Sequence, residues 1–284
     1  MNINRALVLR WCLYAFSGSL VCAVHAEDVR EIVRRAFALN QKTEDLSQNY
    51  TFLQTERVRM LDGKGGVKRD SSKTEDITML EGSPYRRLVA RNGKPISPEE
   101  QKQEDERLRR SDEERRKEPP EQRERRLAEW RRRREQRIGP FREVLDAFDF
   151  KLAGEQNLNG VSVYAIDATP KQGYKPKSST ASILPKFKGR LWIAKSDYGL
   201  VKVEAETTGT ISYGGILFRL ARGSRVEVEQ ERVNDELWLR KRIWVEFSGH
   251  VLLVSALRAQ IEFTFADYRK FQADSRMIPN GEKR

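Results

Sequence analysis

Few side chains in this sequence have the chemistry of a catalytic nucleophile or a general base. Both cysteines and one of the two histidines lie within the first 26 residues, which leaves His250 as the one histidine beyond them. A single histidine next to a predicted turn offers no nucleophile–base pair. No Cys/His spacing fits zinc, and the glycine clusters lack the strand-to-helix context of a phosphate loop. We therefore predict no enzyme, no catalytic residue, no metal and no cofactor, with a two-carboxylate hydrolase as the alternative.

The pattern that does stand out is an alternation of apolar and charged residues through residues 186–272. A period of two puts every second side chain on the same face of a strand, and charges at the intervening positions indicate an antiparallel sheet with one solvated face. Turn sequences at 196–199 and 234–235 separate the strands. The apolar face needs a cover and is the candidate binding surface. Its predicted members are Leu191, Ile193, Val201, Val203, Leu237, Leu239, Ile243, Val245, Phe247, Ile261, Phe263 and Phe265.

Two segments with helical spacing could provide that cover. From residue 27 onward, Ile32, Ala36 and Phe37 fall on one face of a helix whose other face carries arginines and a glutamate. A second, shorter helix is predicted over 141–148. The first helix packs on the sheet in the preferred interpretation and lies on a membrane surface in the alternative.

Further strands are predicted on both sides of these helices. Asn159-Gly160 is the strongest hairpin signal in the chain, and it joins strands at 150–156 and 161–168. Three earlier strand segments contain few apolar residues, so we expect them toward an edge or rim of the sheet. These segments are 50–61, 66–80 and 84–91.

Residues 99–137 differ in composition, with 15 basic and 13 acidic residues and few large apolar ones. Ser97-Pro98 before them is a helix start, and Pro119-Pro120 divides the segment into two helical arms. A helix without an apolar face cannot be core, so we expect a solvated, charged insertion. The alternative is a contact with an anionic partner, either phospholipid head groups or an acidic protein. The arginines predicted to make it are Arg131, Arg132, Arg133 and Arg134.

The first 26 residues have the pattern of a secretory signal. Two arginines precede an apolar run at 11–24, which is short for a transmembrane anchor and ends in a small-residue pattern at Ala26. We predict export and cleavage near Ala26, because the bulky Val21 disfavours lipid attachment at Cys22. The cleaved chain would contain no cysteine and no disulfide. The net charge, +12 for the full sequence, favours anionic partners, while the lack of RNA-binding or zinc signatures argues against nucleic acid.

One segment interrupts the alternation of the sheet. Between residues 207 and 223, apolar residues surround Gly214-Gly215, and so many glycines are unusual in a strand. We predict an apolar flap that includes Ile216, Leu217 and Phe218 and that contacts a partner or lipid. A long hairpin packed on a helix is the alternative.

Several of these features occur together in one known family. They are the signal followed at once by an amphipathic helix, GRLWIAKSDYGLV at 189–201, VNDELWL at 233–239 and FADYRKF at 265–271. In this combination the chain resembles the LolA/LolB-type outer-membrane lipoprotein carriers. The resemblance implies an α+β fold with an unclosed, strongly curved antiparallel sheet, a half-barrel whose concave apolar face is covered by helices and receives acyl chains. The charged insertion departs from the family pattern.

These observations give an ordered set of expectations. The signal spans 1–26, the two parts of a LolA-like domain span 27–98 and 138–272, the charged helical insertion spans 99–137, and a tail spans 273–284. The expected function is that of a periplasmic carrier that holds acyl chains of a lipoprotein or other lipid in an apolar groove. The alternative is a cell-envelope interaction or sensor protein that uses the basic helical arm and the flap, with an anionic membrane surface or an envelope protein as partner.

Overall fold

The computed structural model describes residues 28–213, 218–251 and 255–270, so the predicted signal and tail lie outside it. Within this part there are four α-helices: α1 (Val29–Leu46), α2 (Pro98–Arg116), α3 (Pro120–Ile138) and α4 (Val144–Ala147). The strands are β1 (Tyr50–Leu61), β2 (Val67–Leu80), β3 (Ser83–Arg91), β4 (Lys94–Pro95), β5 (Phe148–Leu158), β6 (Val161–Pro170), β7 (Phe187–Ala194), β8 (Leu200–Thr207), β9 (Ile211–Tyr213), β10 (Phe218–Leu220), β11 (Arg225–Val233), β12 (Leu237–Val251) and β13 (Ser255–Lys270). Short 3-10 turns span Ser47–Asn49, Gly139–Glu143 and Thr180–Lys186.

Eleven strands form one antiparallel sheet in the order β4-β3-β2-β1-β13-β12-β11-β8-β7-β6-β5. The sheet is curled and unclosed, with β4 and β5 as its edges, and β9 and β10 form a small hairpin attached through β12. The predicted α+β class, a strongly curved open antiparallel sheet with helices on it and a charged helical insertion, is confirmed. The three strands expected toward an edge of the sheet, β1, β2 and β3, do lie toward one edge, next to the short edge strand β4.

Helix α1 packs on part of the sheet, as its spacing predicts. Ile32, Val33 and Ala36 are each at most 1% exposed, and Asp28 caps the helix by accepting a hydrogen bond from the backbone N–H of Arg30 at 3.0 Å. Burial of a valine or isoleucine side chain in this way stabilises the fold by about 1.5–3 kcal/mol. The sheet residues in this core are Ile166, Leu191, Ile193 and Leu200.

The hairpins form where the turn residues predict them. Asn159 and Gly160 both have positive φ, 52° and 88°, the combination that a two-residue type I′ turn requires. Asn234 and Asp235 do the same between β11 and β12, with φ of 51° and 55°. These turns fix the register of the long strands that follow them.

The turn between β7 and β8 is held by a tryptophan from another strand. The indole Nε1 of Trp238 donates to the carboxylate of Asp197 at 3.0 Å, and the backbone N–H of Gly199 donates to the same side chain at 3.0 Å. A Cβ on Gly199 would lie 2.0 Å from that Nε1 atom. Glycine is therefore needed here for a close approach of the indole, since any side chain would displace it.

The insertion forms two helices on either side of Pro119, as predicted. Ser97 and Glu100 make a reciprocal capping box at the start of α2, and α3 has no buried residue. The insertion is nevertheless attached to the sheet, because Arg115 and Arg126 both reach Ser83, in the first position of β3. Arg115 also donates to the carbonyls of Leu80 and Ser83, and Arg126 to that of Glu81. The attachment is made by arginine hydrogen bonds at the β2–β3 turn, a contact that composition alone does not reveal.

Gly199→Ala should destabilise the whole sheet. Because the added methyl group overlaps the indole of Trp238, we expect a loss of about 1–3 kcal/mol, typical of overpacking at a tight site. Urea unfolding followed by tryptophan fluorescence measures it. Gly209→Ala is the matched control, since nothing lies within 4 Å of its added Cβ. Equal stability of the two variants would contradict the packing described here.

Arg126→Ala should loosen the insertion without unfolding the sheet. The change removes the hydrogen bonds to Ser83, Glu81 and Glu118, so trypsin should cut within 98–138 several-fold faster while the urea midpoint of the sheet stays nearly constant. Arg125→Ala is the control, because its ion pair with Glu121 is exposed on both sides and such pairs contribute little.

The same contact predicts a pH dependence. Hydrogen bonding from Arg126 lowers the pKa of Glu118 in the folded chain. A lowered pKa means that the stabilisation is present at neutral pH and is lost as the pH falls through the folded value. The cleavage rate of the wild type, measured relative to that of an unstructured substrate at the same pH to allow for the activity of trypsin itself, should therefore be unchanged between pH 7 and pH 5. Rapid cleavage already at pH 5, in a range where Glu118 stays ionised, would count against this anchor.

Candidate functional site

A continuous band of apolar side chains crosses five neighbouring strands on one face of the sheet. Ile243 lies opposite Phe263, and Val245 opposite Ile261, in the pairing of β12 with β13. Directly opposed residues of antiparallel strands share a face, so the band continues wherever the register places another apolar residue. We call this band the apolar stripe, and its members are Val58, Val203, Val226, Val228, Ile243, Val245, Phe247, Ile261 and Phe263.

Every member of the apolar stripe is half-buried. The residues beneath α1 differ, since Leu191 is 5% and Ile193 is 0% exposed. The predicted apolar face therefore has two regions. One is packed beneath the helix and belongs to the core, and the other keeps part of its apolar surface accessible, which is the property that a docking surface for an apolar ligand needs.

Three of the residues predicted for this face lie elsewhere. A register shift between Trp192 and Ile193 places Val201 in a second buried cluster with Trp192 and Trp238. Another shift, between Glu229 and Gln230, leaves Lys241 of β12 as an extra residue in the pairing with β11. The residues of β12 before Lys241 therefore alternate out of step with those after it. Leu237 and Leu239 consequently form a third cluster, with Tyr50 and with the half-buried Tyr268. Both shifts have the same physical effect, since one extra residue in a strand reverses the faces of all that follow.

Phe265 is the last predicted member, and it lies at the polar end of the apolar stripe. It is 8% exposed and packs 5.8 Å from Phe52, measured between ring centroids. The guanidinium of Arg240 stands 5.8 Å from the same ring, a cation–π distance, and pairs with Glu44 of α1 at 3.3 Å. Burial raises the pKa of Tyr268, whose hydroxyl donates to the Arg240 carbonyl at 2.6 Å. An arginine–carboxylate ion pair therefore lies at this end of the apolar stripe.

Sequence reasoning placed Arg240 on the solvated face and did not include Val58, Val226 or Val228 among the site residues. The alternation in RVEVE at 225–229 is a signal that could have identified the two β11 valines. Nothing in the sequence marks the extra residue that turns Arg240 toward α1.

Two cavities lie along the second half of α1. One, of about 270 Å³, is lined by Leu39, Leu46, Leu237 and the charged Lys42 and Lys270, among others. The other has only about 20 Å³, next to Phe52, Arg240 and Phe265, which is room for one water molecule. Thr43 lines both, is 4% exposed, and its Oγ1 has no hydrogen-bond partner among the described residues.

A third depression, of about 460 Å³, lies over β6, β7, β8 and β11 and has a charged lining. Positively and negatively charged side chains face each other on neighbouring strands of this depression. Arg190, for example, pairs with Asp167 at 2.6 Å. Similar cross-strand ion pairs occur farther along the sheet, where Arg242 of β12 pairs with Glu262 of β13 at 2.6 Å. These pairs fit the predicted solvated face. In the described ranges, no group of three or more His, Cys, Asp or Glu side chains could hold a metal ion.

The four consecutive arginines of α3 do not form one patch. Arg131 pairs with Glu124 and Arg133 with Glu129, both at 2.5 Å along the same helix, whereas Arg134 reaches Asp45 of α1 at 2.6 Å. Arg132 is exposed and makes no ion pair with a described residue. Consecutive helical residues point in directions about 100° apart, which explains their different partners.

The predicted flap lies only partly within the described residues. Ile216 and Leu217 fall outside them, and the backbone of Phe218 pairs with Val251 in the small β9–β10 hairpin. At its base, the buried Thr207 accepts a hydrogen bond from the backbone N–H of Ser224 and donates to the carbonyl of Ala221. The segment is therefore a hairpin of the sheet at its attachment to β12.

None of the helices in the described part of the chain is both long and apolar enough to cross a membrane. No protein-family model and no curated protein matches the sequence.

Several solved structures are similar to this chain at low sequence identity. A DUF1329 family protein from Desulfovibrio piger is 13% identical, with 87% of this chain and 95% of that one covered and a TM-score of 0.30. A putative outer membrane lipoprotein-sorting protein domain from Vibrio parahaemolyticus is 11% identical over 86% and 95%, with a TM-score of 0.32. A LolA superfamily protein from Nitrosomonas europaea is 11% identical over 89% and 95%, with a TM-score of 0.29. Two of these three, the lipoprotein-sorting domain and the LolA superfamily protein, bear names of the family that this sequence resembles.

Proposed function

We propose that this chain is an exported binding protein that holds an acyl chain of a lipoprotein or other lipid against the apolar stripe. The observation that supports the proposal is the half-buried state of a stripe that continues across five strands while the neighbouring apolar face is packed beneath α1. The chemistry is burial, with no bond made or broken. The apolar groove residues predicted from sequence that belong to this site are Val203, Ile243, Val245, Phe247, Ile261 and Phe263.

The size of the apolar stripe suits one acyl chain. Between Ala259 and Phe265, β13 advances six residues, or about 20 Å at the rise of an antiparallel strand. One leaflet of a bilayer has a hydrocarbon thickness of about 15 Å. Each methylene group removed from water contributes about 0.8 kcal/mol, so partial coverage of one chain can drive binding.

The competing function is that of an envelope interaction or sensor protein whose contacts are the basic arm and the flap. Arg132 is the member of the predicted arginine set that has no ion-pair partner in the described part of the chain, and it would be the first contact with an anionic membrane surface or an acidic envelope protein. In that case the apolar stripe would bind no lipid.

Phe263→Ala tests the site. Because Phe263 is half-buried, the substitution should cost less stability than the roughly 3–5 kcal/mol typical of a packed phenylalanine, and it should weaken binding of a fluorescent fatty-acyl probe. Unfolding in urea and probe titration measure the two effects on the same samples.

Two further variants serve as controls for that measurement. Ile193→Ala removes a fully buried side chain beneath α1 and should cost about 2–5 kcal/mol while leaving the probe affinity of the folded protein nearly unchanged. Thr264→Ala alters the exposed neighbour of Phe263 on the opposite face and should change neither quantity. If the wild type binds no probe and Phe263→Ala destabilises it as strongly as Ile193→Ala does, the site is packed core and the interaction protein is the better description.

Export is a separate part of the proposal. The apolar run and the small residues before residue 27 predict that material recovered outside the cytoplasm begins at Glu27. N-terminal sequencing of that material decides the question. A lipid-modified Cys22 at the N-terminus would show an anchored protein instead.

A further inference from the structure

The segment that joins β6 to β7 carries positive charge and no carboxylate. Residues 168–188 contain five lysines and neither aspartate nor glutamate. All five lysines are exposed. We call residues 171–188 the lysine loop, and its lysines are Lys171, Lys175, Lys177, Lys186 and Lys188.

Neighbouring carboxylates cancel only part of this charge. In the described part of the chain, Lys177 is the one lysine of the loop with an ion-pair partner, Asp146 at 2.7 Å. Glu206, which lies opposite Lys188 on β8, is bound to an arginine of β11 at 3.7 Å. The exposed Asp149 lies at the start of β5, which pairs with the end of β6. Five lysines against these three accessible carboxylates leave a positive surface.

The charged insertion contains more basic residues, but many of them are bound. Arg109 and Arg116 pair with carboxylates of α2, and Arg131 and Arg133 with carboxylates of α3. An external anion would have to compete with these carboxylates. Four lysines of the loop, in contrast, have no ion-pair partner among the residues that the structure describes. The smaller set of charges is therefore the more available one.

The lysine loop is held in place by a buried carboxylate beneath it. Glu143 is 8% exposed and accepts hydrogen bonds from the hydroxyls of Tyr174 and Ser178, at 2.6 and 2.7 Å. It also accepts one from the backbone N–H of Lys177 at 2.8 Å. The loop is thus ordered before any partner arrives, which reduces the entropy cost of binding.

Two large apolar side chains are exposed beside these lysines. Ile183 is 38% exposed, although the next residue, Leu184, packs on the cluster around Phe148. Phe141 is 53% exposed and lies on the 3-10 turn at Gly139–Glu143, which packs on the turn that contains Ile183. Since their neighbours are buried, the two turns are fixed with these apolar groups outward.

Lysines and apolar side chains together match the surface of an anionic bilayer. A lysine is a point charge on a flexible stem, so it is attracted to a fluid array of phosphates without needing one fixed geometry. Apolar side chains at the same surface can enter the boundary between head groups and acyl chains. Either signal alone binds a membrane weakly, and the combination is what makes binding stable.

The lysine loop also lies at the end of the sheet where the apolar stripe reaches Phe247. Phe187, at the end of the loop, pairs with Thr207 at the end of β8. Strand β8 pairs with β11, and Arg225 at the start of β11 pairs with Glu246, next to Phe247. A surface that contacts the loop therefore meets this end of the sheet.

We propose that the lysine loop, with Ile183 and Phe141, docks the protein on the surface of an anionic lipid bilayer. The lysines attract the head groups, and the two apolar side chains enter the interface between head groups and acyl chains. The surface is separate from the apolar stripe, so the inference goes beyond the proposed function and does not depend on acyl binding. Docking brings the Phe247 end of the sheet toward the bilayer.

Vesicle binding tests the docking surface. The chain from Glu27 onward, which contains every described residue, is sedimented with vesicles of phosphatidylcholine that contain about one-third phosphatidylglycerol, and with vesicles of phosphatidylcholine alone. The wild type should bind the anionic vesicles about a hundredfold more tightly. Added salt should weaken this binding, because it screens exposed charges.

A triple variant removes the unpaired charges of the loop. Lys171→Gln, Lys175→Gln and Lys186→Gln together should weaken binding to the anionic vesicles on the order of a hundredfold, since each basic residue near an anionic surface contributes about fivefold. The urea midpoint should stay that of the wild type, because exposed side chains without partners contribute little to stability.

The matched control removes the same charge from the insertion. Lys102→Gln, Arg110→Gln and Arg132→Gln together change three exposed residues that have no ion-pair partner in the described ranges, and should leave vesicle binding unchanged. A second pair of variants tests the apolar contact. Ile183→Ser should weaken binding several-fold, whereas Val67→Ser, at a 57% exposed position on β2, should not.

Each other result overturns the inference. The bilayer assignment is wrong if the wild type binds anionic vesicles no better than neutral ones, or if the triple lysine variant binds them as well as the wild type does. An equal loss in the insertion variant would show a general charge effect and remove the assignment to the loop. Poly-L-glutamate is titrated in parallel, and lysine-dependent binding to it without vesicle binding would identify an acidic protein as the partner instead. The acyl-probe titration is a separate measurement, so the proposed function stands or fails independently.

Discussion

The organisation of this molecule depends on how much of a wide sheet one helix can cover. A helix with its side chains is about 10–12 Å across, and α1 with its 18 residues is about 27 Å long, whereas eleven strands about 4.8 Å apart span roughly 50 Å, so α1 can shield only part of the sheet. The sheet has eleven strands in a row. Ile32, Val33 and Ala36 seal the part formed by β6, β7 and β8. The remaining apolar surface must be shielded by curvature of the sheet, by another element or by a ligand, and the half-buried side chains of β11, β12 and β13 show that curvature alone leaves some of it accessible.

Register shifts decide which side chains take part in each region. The alternation of β7 and β8 is regular up to Trp192, and the shift there sends Val201 to the cluster of Trp192 and Trp238. The shift in β11 and β12 moves Arg240 toward Glu44 and Phe265. Each shift leaves one residue without regular pairing and moves the side chains at that end of the strand to the opposite faces of the sheet. The meeting of a charged and an apolar surface at Phe265 is a direct result.

Much of the fold could be predicted from sequence, because hydrophobic period, helix starts and Asn-Gly turns are local signals. The alternation at Ile243, Val245, Ile261 and Phe263 predicted their shared face, and Ser97 predicted the start of α2. The displaced Val201 and Leu237 could not be predicted, since a bulge depends on the partner strand. The assignment of site residues therefore stays a prediction where it depends on such long-range contacts.

The two edges of the sheet limit how the molecule can meet its own copies. Open sheets are prone to grow, because an unpaired edge strand is a template for another chain. Here one edge, β4, is only two residues long and contains Pro95, with α2 packed against the neighbouring β3. The other edge, β5, is bent by a register shift at Gly154 and carries Lys151 and Glu155 on either side of it. A short proline-containing edge and a bent, charged one are poor templates, so the open sheet is protected at both margins against growth by backbone pairing with another copy.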